Sequence, residues 1–320
     1  MRCLALAQAW QEHGGRAVFL SVVDSPAQRA RIERAGVDWC PLADAYPSPA
    51  DLATIRQQTA AWTVVDGYHF DTAYYAALRA AGHQVCAVDD LAALPYYPVH
   101  TVLNQNPGAE QFAYVVPPGT RLLLGERYAL LRPEFLARLD APPAIRPIAS
   151  RVLVTFGGAD PENVTIRAVQ ALRGVASPAL EVRVVVGPTN PHLAALQAAT
   201  ANWRLCKLLV GVEDMAACMA WADLAVAAAG STALELAALG VPTILLVLAA
   251  NQAPGAAALA AAGAALDLGP QEAVSVDDLR AAVEGLLPDA PRRAALSERA
   301  RRLVDGRGAS RVVAALQETA

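Results

Sequence analysis

The sequence has no C-x-x-C pair, no histidine spacing that suits a metal ion, no secretory signal pattern and no uninterrupted apolar run of bilayer length. Each absence excludes a class. Five cysteines (Cys3, Cys40, Cys86, Cys206 and Cys218) are an odd number without paired spacing, which predicts free thiols in a cytoplasmic protein rather than a stapled secreted scaffold. The five histidines, at 13, 69, 83, 100 and 192, form no ligand motif, so no metal site is expected from them; no cofactor is expected either. Leu236 to Leu266 carries no charge, but Gly240, Pro242, Asn251, Gln252, Pro254, Gly255 and Gly263 interrupt it. A membrane helix needs about 20 continuous apolar residues, so a buried strand followed by an alanine-rich helix is expected there. Positive charge is not in excess: the net charge of −4 and a pI near 5.8 argue against a nucleic-acid partner.

What is present is an alternation. The 320 residues suggest two domains. Strand-like runs fall at 17–23, 62–68, 84–90, 101–106 and 122–131, with a weaker one at 38–42, and helical stretches near 26–35, 49–61 and 72–82. The pattern breaks at LDAPPAIRPIAS (139–150), which holds three prolines and reads as a linker. It restarts with strands at 151–158, 181–187, 203–209, 224–230 and 242–248 and intervening helices, and closes on helices near 275–287, 290–303 and 309–318. Strands alternating with helices predict an α/β fold of two Rossmann-like domains. The expected boundaries are 1–140, a linker at 141–150, and 151–320. In open parallel sheets ligands bind beyond the carboxyl ends of the strands, so a cleft between the domains is the expected site. The front is unusual: MRCLALAQAWQEHGG reads as a helix that precedes the first strand.

Four strand-to-helix turns carry candidate chemistry. TFGGADPENVT brings Gly157 and Gly158, which let backbone approach a phosphate, and Asp160–Pro161, which has the look of a helix cap and first-turn proline. AAAGSTALELAALGVP places Gly230, Ser231 and Thr232 at a helix start, where backbone and hydroxyl donors suit a diphosphate, with Glu235 one turn in and suited to ribose hydroxyls. Thr232 and Glu235 equally have the spacing of a capping box. Asn251 and Gln252 follow the next strand; Asn251 is either an N-cap or a donor to a sugar or phosphate oxygen. VVDGYHFD sets Tyr68 and His69 at a strand end, with Asp71 as the cap of the helix that follows. Tyr68 can stack on or hydrogen-bond a sugar, or simply pack; His69 lacks a visible charge partner. Asp89 and Asp90 are consecutive and so are not expected to form an acid/base dyad.

Together MRCLALAQAW, VVDGYHFD, AVDD, VLNQN, LLGERYALLRPEF, VTFGGADPENVT, AAGSTALELAALGVP and the NQ at 251–252 resemble the UDP-2,4-diacetamido-2,4,6-trideoxy-β-L-altropyranose hydrolases of pseudaminic acid biosynthesis, over nearly the whole chain. The resemblance implies the two-domain glycosyltransferase-B architecture and attack of water on an anomeric carbon with release of UDP, without metal. It implies Tyr68 and Asn251 as active-site residues, with UDP near Gly157, Gly158, Gly230, Ser231, Thr232, Glu235 and Gln252. It also implies a departure. Members of that family begin with a strand and a G-x-G-H-x-M-R-C loop whose histidine is the proposed base. Met1, Arg2 and Cys3 align with M-R-C, so the first domain is expected to lack its first strand, the glycine loop and the base. Loss of that strand is expected to leave two strand edges open, the first half poorly folded and the chain nearly inactive, and codons upstream of Met1 are expected to encode the missing segment. Two other readings stay open: a UDP-sugar glycosyltransferase with a non-water acceptor, and a non-catalytic nucleotide-sugar binding protein. The sequence leaves the oligomeric state undetermined.

Overall fold

The structure is a computed structural model and describes residues 1–22, 26–42, 47–158 and 160–318. Val23 of the expected first strand and Ala159 of the first glycine turn lie outside the described residues. In chain order the elements are α1 (Arg2–Glu12), β1 (Val18–Ser21), α2 (Pro26–Arg34), β2 (Asp38–Pro41), α3 (Pro49–Arg56), β3 (Thr63–Asp66), α4 (Thr72–Ala80), β4 (Val85–Val88), β5 (Thr101–Asn104), β6 (Arg121–Leu124) and a short α5 (Pro133–Leu136). Then follow β7 (Arg151–Thr155), α6 (Val164–Arg173), β8 (Glu181–Val186), α7 (Leu193–Thr200), β9 (Cys206–Val210), α8 (Met215–Ala220), β10 (Leu224–Ala228), α9 (Ser231–Leu239), β11 (Thr243–Val247), α10 (Ala253–Ala261), β12 (Leu266–Pro270), α11 (Val276–Leu286), α12 (Ala290–Leu303) and α13 (Gly308–Gln317).

The chain divides into two compact units. Unit 1 is Met1–Pro133 with Gly306–Ala320, and unit 2 is Glu134–Asp305. The crossings therefore lie at 133/134 and 305/306. The proline-rich stretch at 139–150 falls inside unit 2, and α13, which the sequence pattern groups with the second half, belongs to unit 1. The reason is long-range packing. Buried Arg293 of α12 donates through Nη2 to the carbonyls of Arg146 and Pro147, at 2.7 and 3.2 Å, and so ties the prolines to unit 2.

Unit 2 is one six-stranded parallel sheet in the order β12-β11-β10-β7-β8-β9. Counted from β7, the order is 6-5-4-1-2-3, the doubly wound arrangement of dinucleotide-binding sheets. The central strands β10 (LAVAA) and β11 (TILLV) are buried along their whole length. They read as continuous apolar runs because helices cover both faces of a parallel sheet. The expected strand and helix of the uncharged 236–266 stretch are β11 and α10. Among the described residues no helix is long and apolar enough to cross a membrane.

Unit 1 holds two parallel sheets, β1-β2 and β3-β4-β5-β6, which leaves strand edges open as the sequence reading expects. Helix α1 serves both. Ala5, Leu6 and Ala9 pack with Cys86 and Val88 of β4, Leu103 of β5 and the apolar face of α13. Leu4 and Ala7 pack with Ile32 of α2 and Val37, beside Phe19 of β1 and Trp39 of β2. Its apolar residues thus form two stripes rather than one, which accounts for the broad apolar character of LALAQAW. Strands β4 and β5 are buried throughout, and unit 1 has its own core around Tyr75, Leu78, Val85 and Val102.

Candidate functional site

In an open parallel sheet the crevice forms where strand order reverses, outside the carboxyl ends of the strands. In unit 2 that point lies between β7 and β10, which pair directly, Ala227 opposite Thr155. The two glycine turns leave from these adjacent ends. After β7, Phe156 is buried, Gly157 takes φ +86°, and a side chain added at Gly157 or Gly158 would meet nothing within 4 Å. Among the described residues no side chain covers the turn. From below it is tightly held. A Cβ on Gly187, after β8, would lie 1.9 Å from the Gly158 carbonyl oxygen, and Thr189 donates its hydroxyl to that same oxygen at 3.2 Å.

The cap of α6 differs from the sequence expectation. The helix begins at Val164, with Asn163 as N-cap in the left-handed region (φ +52°), and Pro161 lies outside its first turn. Asp160 still serves the helix start from outside. Its buried carboxylate accepts the backbone N–H groups of Val164 (2.8 Å) and Thr165 (2.9 Å) and the Thr165 hydroxyl (2.5 Å). Asp160 also adopts left-handed backbone (φ +42°), a conformation that Asp and Asn tolerate better than other side chains.

After β10 the chain turns at Gly230 into α9. Gly230 is the N-cap and no side chain caps the helix, so the Thr232–Glu235 capping box is not formed. Ser231 is exposed, Thr232 half-buried, and Glu235 half-buried one turn in. The first N–H groups of a helix carry no intrahelical partner and a partial positive charge, so an uncapped start suits an anion. Asn251 sits within a 3-10 turn (Ala250–Gln252) after β11 and is not the cap of α10; that position belongs to Gln252. Gln252 accepts the Leu248 N–H at 3.0 Å, and its amide nitrogen lies 3.5 Å from where a Cβ on Gly230 would stand. The structure therefore brings Gly157, Gly158, Gly230, Ser231, Thr232 and Gln252 to neighbouring strand ends of one sheet.

Tyr68 lies in unit 1, at the carboxyl ends of β3, β4 and β5, within a network that sequence reasoning missed. Arg2, at the start of α1, holds Asp66 with two bonds (Nε–Oδ2 3.0 Å, Nη2–Oδ1 2.7 Å) and Asp90 with a third (Nη1–Oδ1 2.6 Å). Asn106 donates to the same Asp90 oxygen at 2.6 Å, and Tyr68 donates its hydroxyl to the other at 2.6 Å. Cys3 donates to Asp66 at 3.0 Å. Burial opposes the charge on Arg2, but its bonds to Asp66 and Asp90 outweigh that and raise its pKa. Burial likewise works against the Asp66 carboxylate, and the Arg2 bonds overcome it, so its pKa is lowered. Burial, then Asp66, pushes the Cys3 thiol well up, so it stays protonated.

Asp89 faces elsewhere, as consecutive residues should. It accepts the hydroxyls of Tyr97 (3.0 Å) and Tyr114 (2.8 Å) and the N–H groups of Leu91 and Ala92. Asp71 caps α4 by accepting the Tyr74 N–H at 2.8 Å. His69 is exposed, its ring tilted against that of Phe70 with centroids 4.4 Å apart. Among the described residues no group of three or more His, Cys, Asp or Glu could hold a metal ion.

A doubly wound sheet with two open glycine turns at its switch point, in a chain of two α/β units, defines an α/β protein of two Rossmann-like domains with a glycosyltransferase-B-like fold. Residues 151–311 match the glycosyltransferase family 28 C-terminal domain, and the chain belongs to that family. It is similar to the spore coat polysaccharide biosynthesis protein SpsG of Bacillus subtilis (strain 168), with 31% identity over 220 residues, covering 68% of this chain and 64% of SpsG. It is also similar to the UDP-N-acetylglucosamine--N-acetylmuramyl-(pentapeptide) pyrophosphoryl-undecaprenol N-acetylglucosamine transferase of Methylobacterium sp. (strain 4-46), with 36% identity over 200 residues, covering 59% of this chain and 54% of that protein. The chain thus spans less than two thirds of each of these curated relatives.

Two solved structures share the fold. MurG of Acinetobacter baumannii superposes with a TM-score of 0.68 at 18% identity, over 99% of this chain and 95% of that one. The UDP-GlcNAc 2-epimerase of Neisseria meningitidis, bound to UDP-GlcNAc, gives 0.70 at 13% identity, over 99% and 98%.

Proposed function

We propose that this chain is a UDP-sugar-dependent glycosyltransferase whose unit 2 binds the nucleotide. The observation that carries the reading is the pair of open turns, Gly157–Gly158 and Gly230–Thr232, at the switch point of the unit 2 sheet. The diphosphate sits at the uncapped start of α9, accepting from the N–H groups and hydroxyls of Ser231 and Thr232. Glu235 accepts from the ribose hydroxyls, and Asn251 and Gln252 donate to the phosphate or sugar oxygens. A nucleophile attacks the anomeric carbon, the bond from that carbon to the phosphate oxygen breaks, and UDP leaves with the electron pair. The helix start then stabilises negative charge on the leaving group, where preorganised donors act most strongly.

Calorimetry with UDP tests this. The chain is expected to bind UDP, and the double change Ser231→Ala with Thr232→Val is expected to weaken it about ten- to a hundredfold, the scale of a lost hydrogen bond to a charged group. Gly187→Ala forces the Gly158 backbone aside and is expected to weaken UDP binding as well. A chain that binds no UDP defeats the proposal.

A second reading replaces the acceptor with water: hydrolysis of UDP-2,4-diacetamido-2,4,6-trideoxy-β-L-altropyranose. One observation favours it. Arg2, Asp66, Tyr68, Asp90 and Asn106 come from four of the blocks that resemble the hydrolases, MRCLALAQAW, VVDGYHFD, AVDD and VLNQN, and they meet in one network. Incubation with that UDP-sugar and no added acceptor separates the readings. Release of UDP and free sugar supports hydrolysis; UDP release only when an acceptor is supplied supports transfer. Tight UDP binding without turnover under either condition supports a non-catalytic binding protein.

A further inference from the structure

Two helices of unit 2 begin beside the crevice, and their first N–H groups are treated differently. At α6 the four that a helix leaves without intrahelical partners are all taken. Asn163 N–H bonds the Asp160 carbonyl at 3.0 Å, Val164 and Thr165 bond the Asp160 carboxylate, and Ile166 bonds the Asn163 carbonyl at 3.2 Å. The Thr165 hydroxyl closes the same carboxylate from the side, and Asp160 is 3% exposed. Its loop is pinned before and after it. Thr189 holds the Gly158 carbonyl, and His192 donates through Nε2–H to the Pro161 carbonyl at 2.8 Å. At α9 the N–H groups of Ser231 and Thr232 have no partner among the described residues. Gln252 adds a donor from outside that helix. Its side-chain oxygen is engaged by the Leu248 N–H, which leaves its amide nitrogen turned toward Gly230.

A helix start carries roughly half a positive charge, so one carboxylate seated on it reverses the local sign. The α6 start thus already holds an anion, whereas the α9 start presents donors without one. We infer that Asp160 is a specificity-determining residue: it closes the α6 start to phosphate, confines the ligand's diphosphate to α9 and leaves the Gly157–Gly158 turn to the uncharged nucleoside. The two glycine turns, alike in sequence, then take opposite ends of the ligand. The choice of a nucleotide rests on the reading above; the closure of α6 does not.

Amide NMR of the full chain, labelled with nitrogen-15 at glycine, serine, threonine and valine, tests this with inorganic phosphate, uridine and UDP. In wild type, phosphate is expected to shift Ser231 and Thr232 and to leave Gly157, Gly158, Val164 and Thr165 in place. Uridine is expected to shift Gly157 and Gly158, and UDP both glycines and both α9 amides. Asp160→Gly removes the internal anion while tolerating the left-handed backbone at that position. In it, phosphate and UDP are expected to shift Val164 and Thr165 as well. A set of UDP-shifted amides identical in wild type and variant would make Asp160 a helix cap only and overturn the inference. Wild type also decides without the variant. Phosphate or UDP that shifts Val164 and Thr165 overturns the closure of α6, and uridine that shifts Ser231 and Thr232 instead of the glycines overturns the placement. If wild type responds to neither UDP nor uridine, the nucleotide reading falls, and phosphate at the α6 amides of the two proteins still decides the closure.

Discussion

Ending the chain at Asp305 is expected to unfold unit 1 and leave unit 2 intact. The last helix, α13, contributes Ala309, Val312, Val313 and Leu316, each at most 3% exposed, to the cluster that holds Cys86, Val88, Leu103 and α1. Burial of a large aliphatic side chain stabilises by about 1.5–3 kcal/mol, so the three larger residues alone contribute about 5–9 kcal/mol. That is the order of a whole domain's net stability, about 5–15 kcal/mol. Polar contacts add direction. Trp62 Nε1 donates to the Leu316 carbonyl at 3.0 Å and Arg121 to the Ala315 carbonyl at 2.6 Å. Gly308 lets the first turn lie against the backbone of Ala129, where a Cβ would come within 2.2 Å of the carbonyl oxygen. The tryptophans report the units separately: Trp10, Trp39 and Trp62 in unit 1, Trp203 and Trp221 in unit 2. Amide exchange should show unit 1 unprotected and unit 2 unchanged. Retained protection in β4 and β5 of the shortened chain would refute the assignment of α13 to that core.

Arg2→Met is expected to cost about 3–5 kcal/mol of unit 1 stability, the penalty for removing one partner of a buried charge group. The change strands two carboxylates, Asp66 and Asp90, that share a single cation. Arg2→Lys should recover only part of this, because one ammonium cannot bond both carboxylates in the arginine's forked geometry. The pH dependence has a defined sign. Asp66 has a lowered pKa in the folded state, so its contribution is present above the unfolded value, about 3.9, and is lost as pH falls through the folded value. Arg2, with a raised pKa, stays charged and contributes fully at every pH below the ordinary arginine range. Urea midpoints for unit 1 should therefore fall below about pH 4 in wild type and show a weaker acid dependence in Arg2→Met. A midpoint shift equivalent to under about 1 kcal/mol would show that the group is solvated and worth little.

The sequence made the alternating α/β pattern legible because buried parallel strands are continuous apolar runs, as β4, β5, β10 and β11 are. It hid β12 for the opposite reason. LDLGP is an edge strand, paired only with β11, half-exposed, and carrying Asp, Gly and Pro. The turns at Gly157 and Gly230 were readable because glycine between a strand and a helix has few other uses. Their caps were not. A carboxylate can serve a helix from four residues away, as Asp160 does, so spacing alone misplaced the helix start. Arg2 escaped notice since its partners lie 64 and 88 positions on, and no local pattern links them. A cation in the first turn of an apolar helix, together with aspartates ending two strands, was the available signal. The proline-rich stretch misled on the boundary because Arg293, nearly 150 residues later, fixes it to unit 2.

The division of unit 1 into two sheets gives that unit four lateral borders where a single sheet has two. Along β1 (Val18-Phe19-Leu20-Ser21) no charged side chain guards the border, and β3 has only Asp66 at its far end. Natural proteins protect such borders with lysines, prolines or bulges, since any extended peptide can hydrogen-bond to them. Molecules of this chain crowded together in a concentrated solution are therefore expected to adhere flank to flank through the main chains of unit 1.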